Sequence, residues 1–277
     1  MNTRSITTYE IFSISLNDFL HNHNRGYFTL VGFPSSGKTA ILTQYTQHSP
    51  STLYINLKLT KKNTAKEFLP HICHQLTEKC SFLPPIPQPI TEGSWLLSKL
   101  LQQISDQLPP NQKLIIAIDS LDGINPYSQP PGTNLLYLPR YLPQGIYFIL
   151  ARRPFKPEQS GLLIEAPSEI LNLSQYEVKK WDNEANYQEH WQKIQSEGLS
   201  DIARQVLQVL TSADDKGVSL REIVKITQGD VFDIQELLDN WFEFLQLQPI
   251  NQETHYSWYH ANFRDWLRGY SCSNPNC

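Results

Sequence analysis

The chain has 277 residues, 40% hydrophobic, 18% charged and 11% aromatic, with 23 Lys plus Arg against 27 Asp plus Glu. That composition supplies a core and excludes a wholly disordered chain. A net charge of −4 gives no general attraction to nucleic acid or anionic lipid. Four cysteines, Cys73, Cys80, Cys272 and Cys277, are too few for a disulfide scaffold. No run approaches the roughly 18 apolar residues of a membrane span, and Met1–Glu10 has no secretory apolar segment. The expectation is a soluble, cytoplasmic protein without a membrane partner.

In chain order, four short apolar runs stand out: Tyr27–Val31, Thr52–Leu57, Leu114–Ile118 and Ile146–Leu150. They are rich in β-branched and aromatic residues and do not alternate, as strands buried on both faces read. A fifth strand is expected within Leu162–Glu165 or Ile170–Leu173. Helical spacing lies between them at Lys38–His48, Thr64–Lys79, Ser94–Leu108 and Asn134–Tyr141. Strands alternating with helices predict an α/β fold, a doubly wound, mostly parallel sheet. Pro84–Pro89, Pro109–Pro110 and Pro130–Pro131 read as surface connections.

After about Gln175 the pattern turns helical, at Glu177–Gln195, Ser200–Leu210, Leu220–Thr227 and Val231–Leu245. Extended pieces near Phe244–Leu247 and His255–Tyr259 follow, then an amphipathic stretch His260–Leu267. Helices with a terminal hairpin predict a small winged-helix-like domain. The expected division is 8–175 for the sheet domain, 176–198 for a short helical linker, 199–270 for the winged-helix-like part and 271–277 for a disordered tail.

Gly32-Phe33-Pro34-Ser35-Ser36-Gly37-Lys38-Thr39 fits G-x-x-x-x-G-K-[ST], fed by a buried strand and left by a helix-compatible run, Thr39–Tyr45, with Ala40 just past the motif. Glycine at 32 and 37 admits backbone that a Cβ would block. Successive N–H groups then cradle phosphate at a helix N-terminus. Residues 32 and 34–40 are therefore the candidate nucleotide-binding segment. Lys38 would neutralise the β- and γ-phosphates, and Thr39 would bind Mg²⁺. Leu114–Asp119 is an apolar strand ending in a carboxylate, so Asp119 is a second metal candidate. Asp122, three residues on, is placed to orient or deprotonate a water. Arg152-Arg153-Pro154 follows the strand Ile146–Leu150, and its arginines read either as a sensor of γ-phosphate charge or as a solvated basic pair.

Phe28–Ala40, Leu114–Asp122, Leu136–Pro154 and the C-terminal Tyr256–Leu267 together resemble the NACHT branch of the STAND P-loop NTPases. The resemblance implies an ATP/ADP switch, shut with ADP and assembling with ATP. It implies a metal role for Asp119, catalytic roles for Lys38 and Asp122, a sensor role for Arg153, and a contact of His260 with the β-phosphate of ADP. Read from the residues alone, His260 is a helix-start histidine packed beside Tyr259 and Phe263. Gly123 stands where that family has an acid, which points away from efficient hydrolysis. The stretch Phe155–Ser200 is short for the family's helical lid, and no effector or sensor array flanks the sequence. A protein partner or self-assembly in the ATP state is therefore expected.

Two rival readings are a non-hydrolysing nucleotide-binding scaffold and a small-molecule kinase, though neither a lid nor an acceptor pocket for a kinase is visible. His71, Cys73, His74 and Cys80 do not share one helix face and read as ordinary packing, not a metal site. Residues 201–270 carry six cations against eleven carboxylates, and Leu220–Thr227 offers only Arg221 and Lys225. Nucleic acid is therefore not an expected partner. Trp241, Phe242, Phe244 and Leu245 are expected to form core against the first domain, with a partner surface as the alternative.

Overall fold

The computed structural model describes residues 7–34, 36–49, 51–60, 62, 64–80, 82–83, 95–124, 129–130, 132–155, 160–176, 184–196, 198–251 and 253–273. The chain divides into two compact units, Met1–Gly32 with Ser36–Val178, and Phe33–Ser35 with Lys179–Cys277.

The first unit is a five-stranded sheet: β1 (Gly26–Val31), β2 (Thr52–Asn56), β3 (Leu114–Asp119), β4 (Ile146–Arg152) and β5 (Ser168–Asn172). The strand order is β2-β3-β4-β1-β5 and every pairing is parallel. Alternate residues feed two cores. Tyr27, Ile116, Ile118, Phe148 and Leu150 pack with helices α4 (Ala65–Lys79) and α5 (Trp95–Gln107). Phe28, Leu30, Ile115, Tyr147 and Ile149 pack on the other face with α1 (Thr8–Asn22) and α2 (Lys38–His48). That is why these strands show no polar alternation. Cys73 lies wholly inside the first of these cores, where burial pushes its thiol up to about 12.

A four-residue helix, α3 (Leu57–Thr60), follows β2 directly. The fifth strand is the later of the two candidates, starting at Ser168, and no strand lies at 162–165. The helix expected over Asn134–Tyr141 is not formed. Only a 3₁₀ turn, Leu135–Tyr137, is present, with Leu136 and Tyr137 at φ +54° and +55°. Pro139 cannot continue a helix, and Leu138 before it is pushed to extended backbone. The buried Asn134 side chain accepts from Leu163 N at 2.6 Å and donates to Leu138 O, fixing the turn instead.

The second unit contains α6 (Glu184–Gln195), α7 (Asp201–Ser212), β6 (Val218–Ser219), α8 (Leu220–Thr227), α9 (Val231–Asn240), β7 (Leu245–Ile250), β8 (Glu253–Trp258) and α10 (Ala261–Ser273). Its three strands form an antiparallel sheet in the order β6-β8-β7. Tyr187, Trp191 and Ile194 of α6 join Trp241, Phe244, Leu245, Trp258 and Phe263 in one core. Trp241, Phe244 and Leu245 are therefore core of the second unit itself. The helix just ahead of the β7–β8 hairpin, expected over Val231–Leu245, is α9, which ends at Asn240 because Trp241–Phe244 turns into β7. Residues 271–273, expected to open a disordered tail, lie in α10, which runs through Ser273, and 274–277 lie outside the described residues. Among the described residues, no helix is long and apolar enough to cross a membrane.

Candidate functional site

Because all five strands are parallel, their C-terminal ends lie along one edge, where such sheets bind ligands. β1 ends at Val31 and α2 begins at Lys38, so the intervening loop sits on that edge. Gly37 is the N-cap of α2 at φ +84°, a left-handed conformation that glycine takes without penalty. Gly32 is buried, and a Cβ there would come within 2.4 Å of Ser36 Oγ and 3.2 Å of Leu173 Cβ. The two motif glycines thus meet different needs, one of conformation and one of space.

The Lys38 ammonium reaches back across the loop, donating to Gly32 O at 2.6 Å and to Ser36 Oγ at 3.3 Å. Thr39 and Ala40 are exposed in the first turn of α2, and Pro34 is buried. Ser35, also expected in the nucleotide-binding segment, lies outside the described residues.

β4 lies between β1 and β3, so the residue leaving β4 stands between the loop and Asp119. Val31 is the register partner of Arg152, and Gly32 N donates to Arg152 O at 3.2 Å, which sets Arg153 beside the start of the loop. Arg153 Nε meets Asp122 Oδ2 at 3.1 Å, both side chains being mostly covered. Asp122 sits in a 3₁₀ turn, Leu121–Gly123, just beyond β3. A Cβ at Gly123 would meet open space, so no crowding keeps an acid out of that position. The alternative of a solvated Arg153 is not what the structure shows, because its side chain is only 14% exposed and paired.

Asp119 is 1% exposed at the end of β3. Its Oδ2 accepts from Tyr54 OH and from Asn56 Nδ2, each at 3.0 Å. Burial raises the Tyr54 phenol, so it stays protonated and donates. Arg152 is also covered, donating to Ser160 O at 3.0 Å, with its guanidinium 3.7 Å from the Phe155 ring centroid. Burial lowers it to about 10 against the opposing pull of Asp122, and it remains a cation at neutral pH. Sequence reading missed Tyr54 and Asn56. The signal for Asn56 was an amide closing an otherwise apolar run, but only the β2–β3 register sets it against Asp119.

Thr39 and Asp119 offer a hydroxyl and a carboxylate, the hard oxygen donors that Mg²⁺ takes together with phosphate and water. His260 belongs to the second unit, ahead of α10, and its Nδ1 accepts from Asn262 N at 3.1 Å. The helix-start role read from sequence is thus present. Among the described residues no group of three or more His, Cys, Asp and Glu is arranged to hold a metal.

Residues 21–151 match the family model described as an AAA domain. The parallel sheet with its flanking helices is consistent with the α/β fold of a P-loop NTPase. A Walker-type ATPase of Pyrococcus abyssi has a similar fold, with a TM-score of 0.56 at 13% identity, over 97% of this chain and 99% of that one. The Drosophila ORC bound to DNA gives a TM-score of 0.42 at 17% identity, over 85% of this chain and 56% of that chain. The Drosophila ORC bound to GC-rich DNA and Cdc6 gives 0.42 at 11%, over 95% and 92%. No curated protein matches by sequence. The AAA match is a coarser kinship than the NACHT-type resemblance.

Proposed function

We propose that this P-loop domain is a STAND/NACHT-type ATPase that binds ATP or ADP with Mg²⁺, hydrolyses ATP slowly, and signals through its nucleotide-dependent shape. The observation that carries the nucleotide reading is the left-handed Gly37, which turns the end of β1 into a helix opening at Lys38. Loop amides and Lys38 would take the β- and γ-phosphates. Thr39 and Asp119 would hold Mg²⁺, which when bound neutralises phosphate charge. Asp122 would orient the attacking water, and Arg153 would offset charge on the transferred group. The contact of His260 with nucleotide, carried by the resemblance alone, belongs to the same proposal.

The C-terminal order of three helices with a short strand, then a hairpin, supports a winged-helix reading of that unit. The helix ahead of the hairpin, α9, carries Asp233, Glu236 and Asp239 and no Lys or Arg, which supports a protein over a nucleic acid as partner.

A second reading is a nucleotide-binding scaffold without hydrolysis. It is favoured by the Asp122–Arg153 pair, which engages one oxygen of the carboxylate that would hold water. Single-turnover release of labelled phosphate decides between them. Phosphate release with Mg²⁺ and no added acceptor supports the ATPase and excludes a kinase; tight ATP binding with no release selects the scaffold. High ADP occupancy in the purified chain would support a switch that holds itself shut.

A further inference from the structure

A carboxylate as covered as Asp119 needs hydrogen-bond donors. Both of its described donors come from β2 and converge on one oxygen. Asn56 lies directly across the β2–β3 ladder from Asp119, and Tyr54 two residues earlier points to the same side. Asn56 Nδ2 also lies 3.3 Å from the Tyr54 hydroxyl, closing a triangle around Asp119 Oδ2.

The Asn56 amide is fixed in its sense. Its Oδ1 accepts from Leu59 N at 2.9 Å, so the oxygen is committed to α3 and the NH₂ must face the carboxylate. Thr60 Oγ1 adds a bond to Asn56 O at 2.8 Å, pinning the same residue from its backbone. The first turn of α3 therefore holds the amide, and the amide holds the carboxylate.

We propose that Asn56, seconded by Tyr54, is a positioning residue that turns Asp119 so that Oδ1 faces the Mg²⁺ of the bound nucleotide. The inference rests on the Mg²⁺–nucleotide reading of the preceding section. It adds to that reading a specific pair of residues that no loop motif contains. Donors that orient a metal-binding carboxylate act on metal affinity more than on the rest of the ligand.

The test is binding of a fluorescent ATP analogue in EDTA and across a Mg²⁺ series. It compares wild type, Asn56→Ala and Tyr54→Phe, each checked by far-UV circular dichroism. Asn56→Ala is expected to raise the half-saturating Mg²⁺ concentration by about 10- to 100-fold. Its affinity in EDTA should stay within about twofold of wild type, since the loop and Lys38 are untouched. Tyr54→Phe removes one hydroxyl and keeps the ring, so a rise of about threefold is expected, and it carries the test if Asn56→Ala does not fold. Unchanged Mg²⁺ half-saturation in the folded variants overturns the inference. So does an equal loss of affinity in EDTA and in Mg²⁺, which would mark a merely structural role. A wild type whose ATP binding ignores Mg²⁺ brings down the metal reading itself, and this inference with it.

Discussion

Lys38 touches two loop acceptors, Gly32 O and Ser36 Oγ, so its charge is held over the loop by the loop's own atoms. A charge-assisted hydrogen bond is worth about 1.5–3 kcal/mol, so Lys38→Ala should weaken ATP binding on the order of 10- to 100-fold while circular dichroism stays native-like. Isothermal titration with unchanged affinity would remove the loop from the function. Asp122 and Arg153 form a pair whose two members are best separated by a double-mutant cycle. Asp122→Asn should slow turnover on the order of 100-fold with ATP still bound. If the two act as one unit, adding Arg153→Ala to Asp122→Asn should cost far less than Arg153→Ala costs alone. Strict additivity in steady-state rates would show that they serve separate steps. These residues were legible as types and spacings. Their pairing was not, because Asp122 and Arg153 are 31 positions apart and meet only through the β3–β4 neighbourhood.

At the scale of elements, local chemistry sets helix ends more firmly than helix existence. α8 begins where Ser219 and Glu222 form a capping box, with Glu222 Oε2 accepting from Ser219 N at 2.9 Å. Those donors hold the Glu222 carboxyl below its usual range. A carboxyl lowered in the folded state adds stability above its unfolded pKa and loses it as pH falls through the folded value. Ser219→Ala should thus cost about 1 kcal/mol in urea unfolding at neutral pH and less in acid. An equal cost at both would mean that the Glu222 charge plays no part.

The same motif, Thr7 with Glu10, opens α1, where Phe12, Leu16, Phe19 and Leu20 face the core. That helix could have been read from Thr-Thr-Tyr-Glu followed by apolar spacing, and it was not. The opposite error came at 134–141, where apolar spacing suggested a helix that Pro139 and the buried Asn134 prevent. Periodicity reports which residues are apolar, not whether the backbone can supply its donors.

At the scale of the molecule, separate cores serve the two units, two of them flanking the parallel sheet and one in the C-terminal unit. A ligand that binds only the folded loop stabilises by about 2.7 kcal/mol at 100 times its Kd. At a MgATP concentration about 100 times the wild-type Kd, Tm should rise by roughly 5–10 °C in wild type and by only about 1–5 °C in Lys38→Ala. Calorimetry showing equal shifts in both would place the bound nucleotide elsewhere.

The sequence by itself determined the loop, the apolar strands and the carboxylate at the end of β3, because each depends on neighbours within a few residues. Glycine freedom, strand burial and helix capping are local properties, written in local order. Only the tertiary structure decided that β4 lies between β1 and β3, that Arg153 faces Asp122, and that Asn56 lies across the ladder from Asp119. Those contacts join residues 31 and 63 positions apart, and their distance along the chain carries no signal of the register that brings them together.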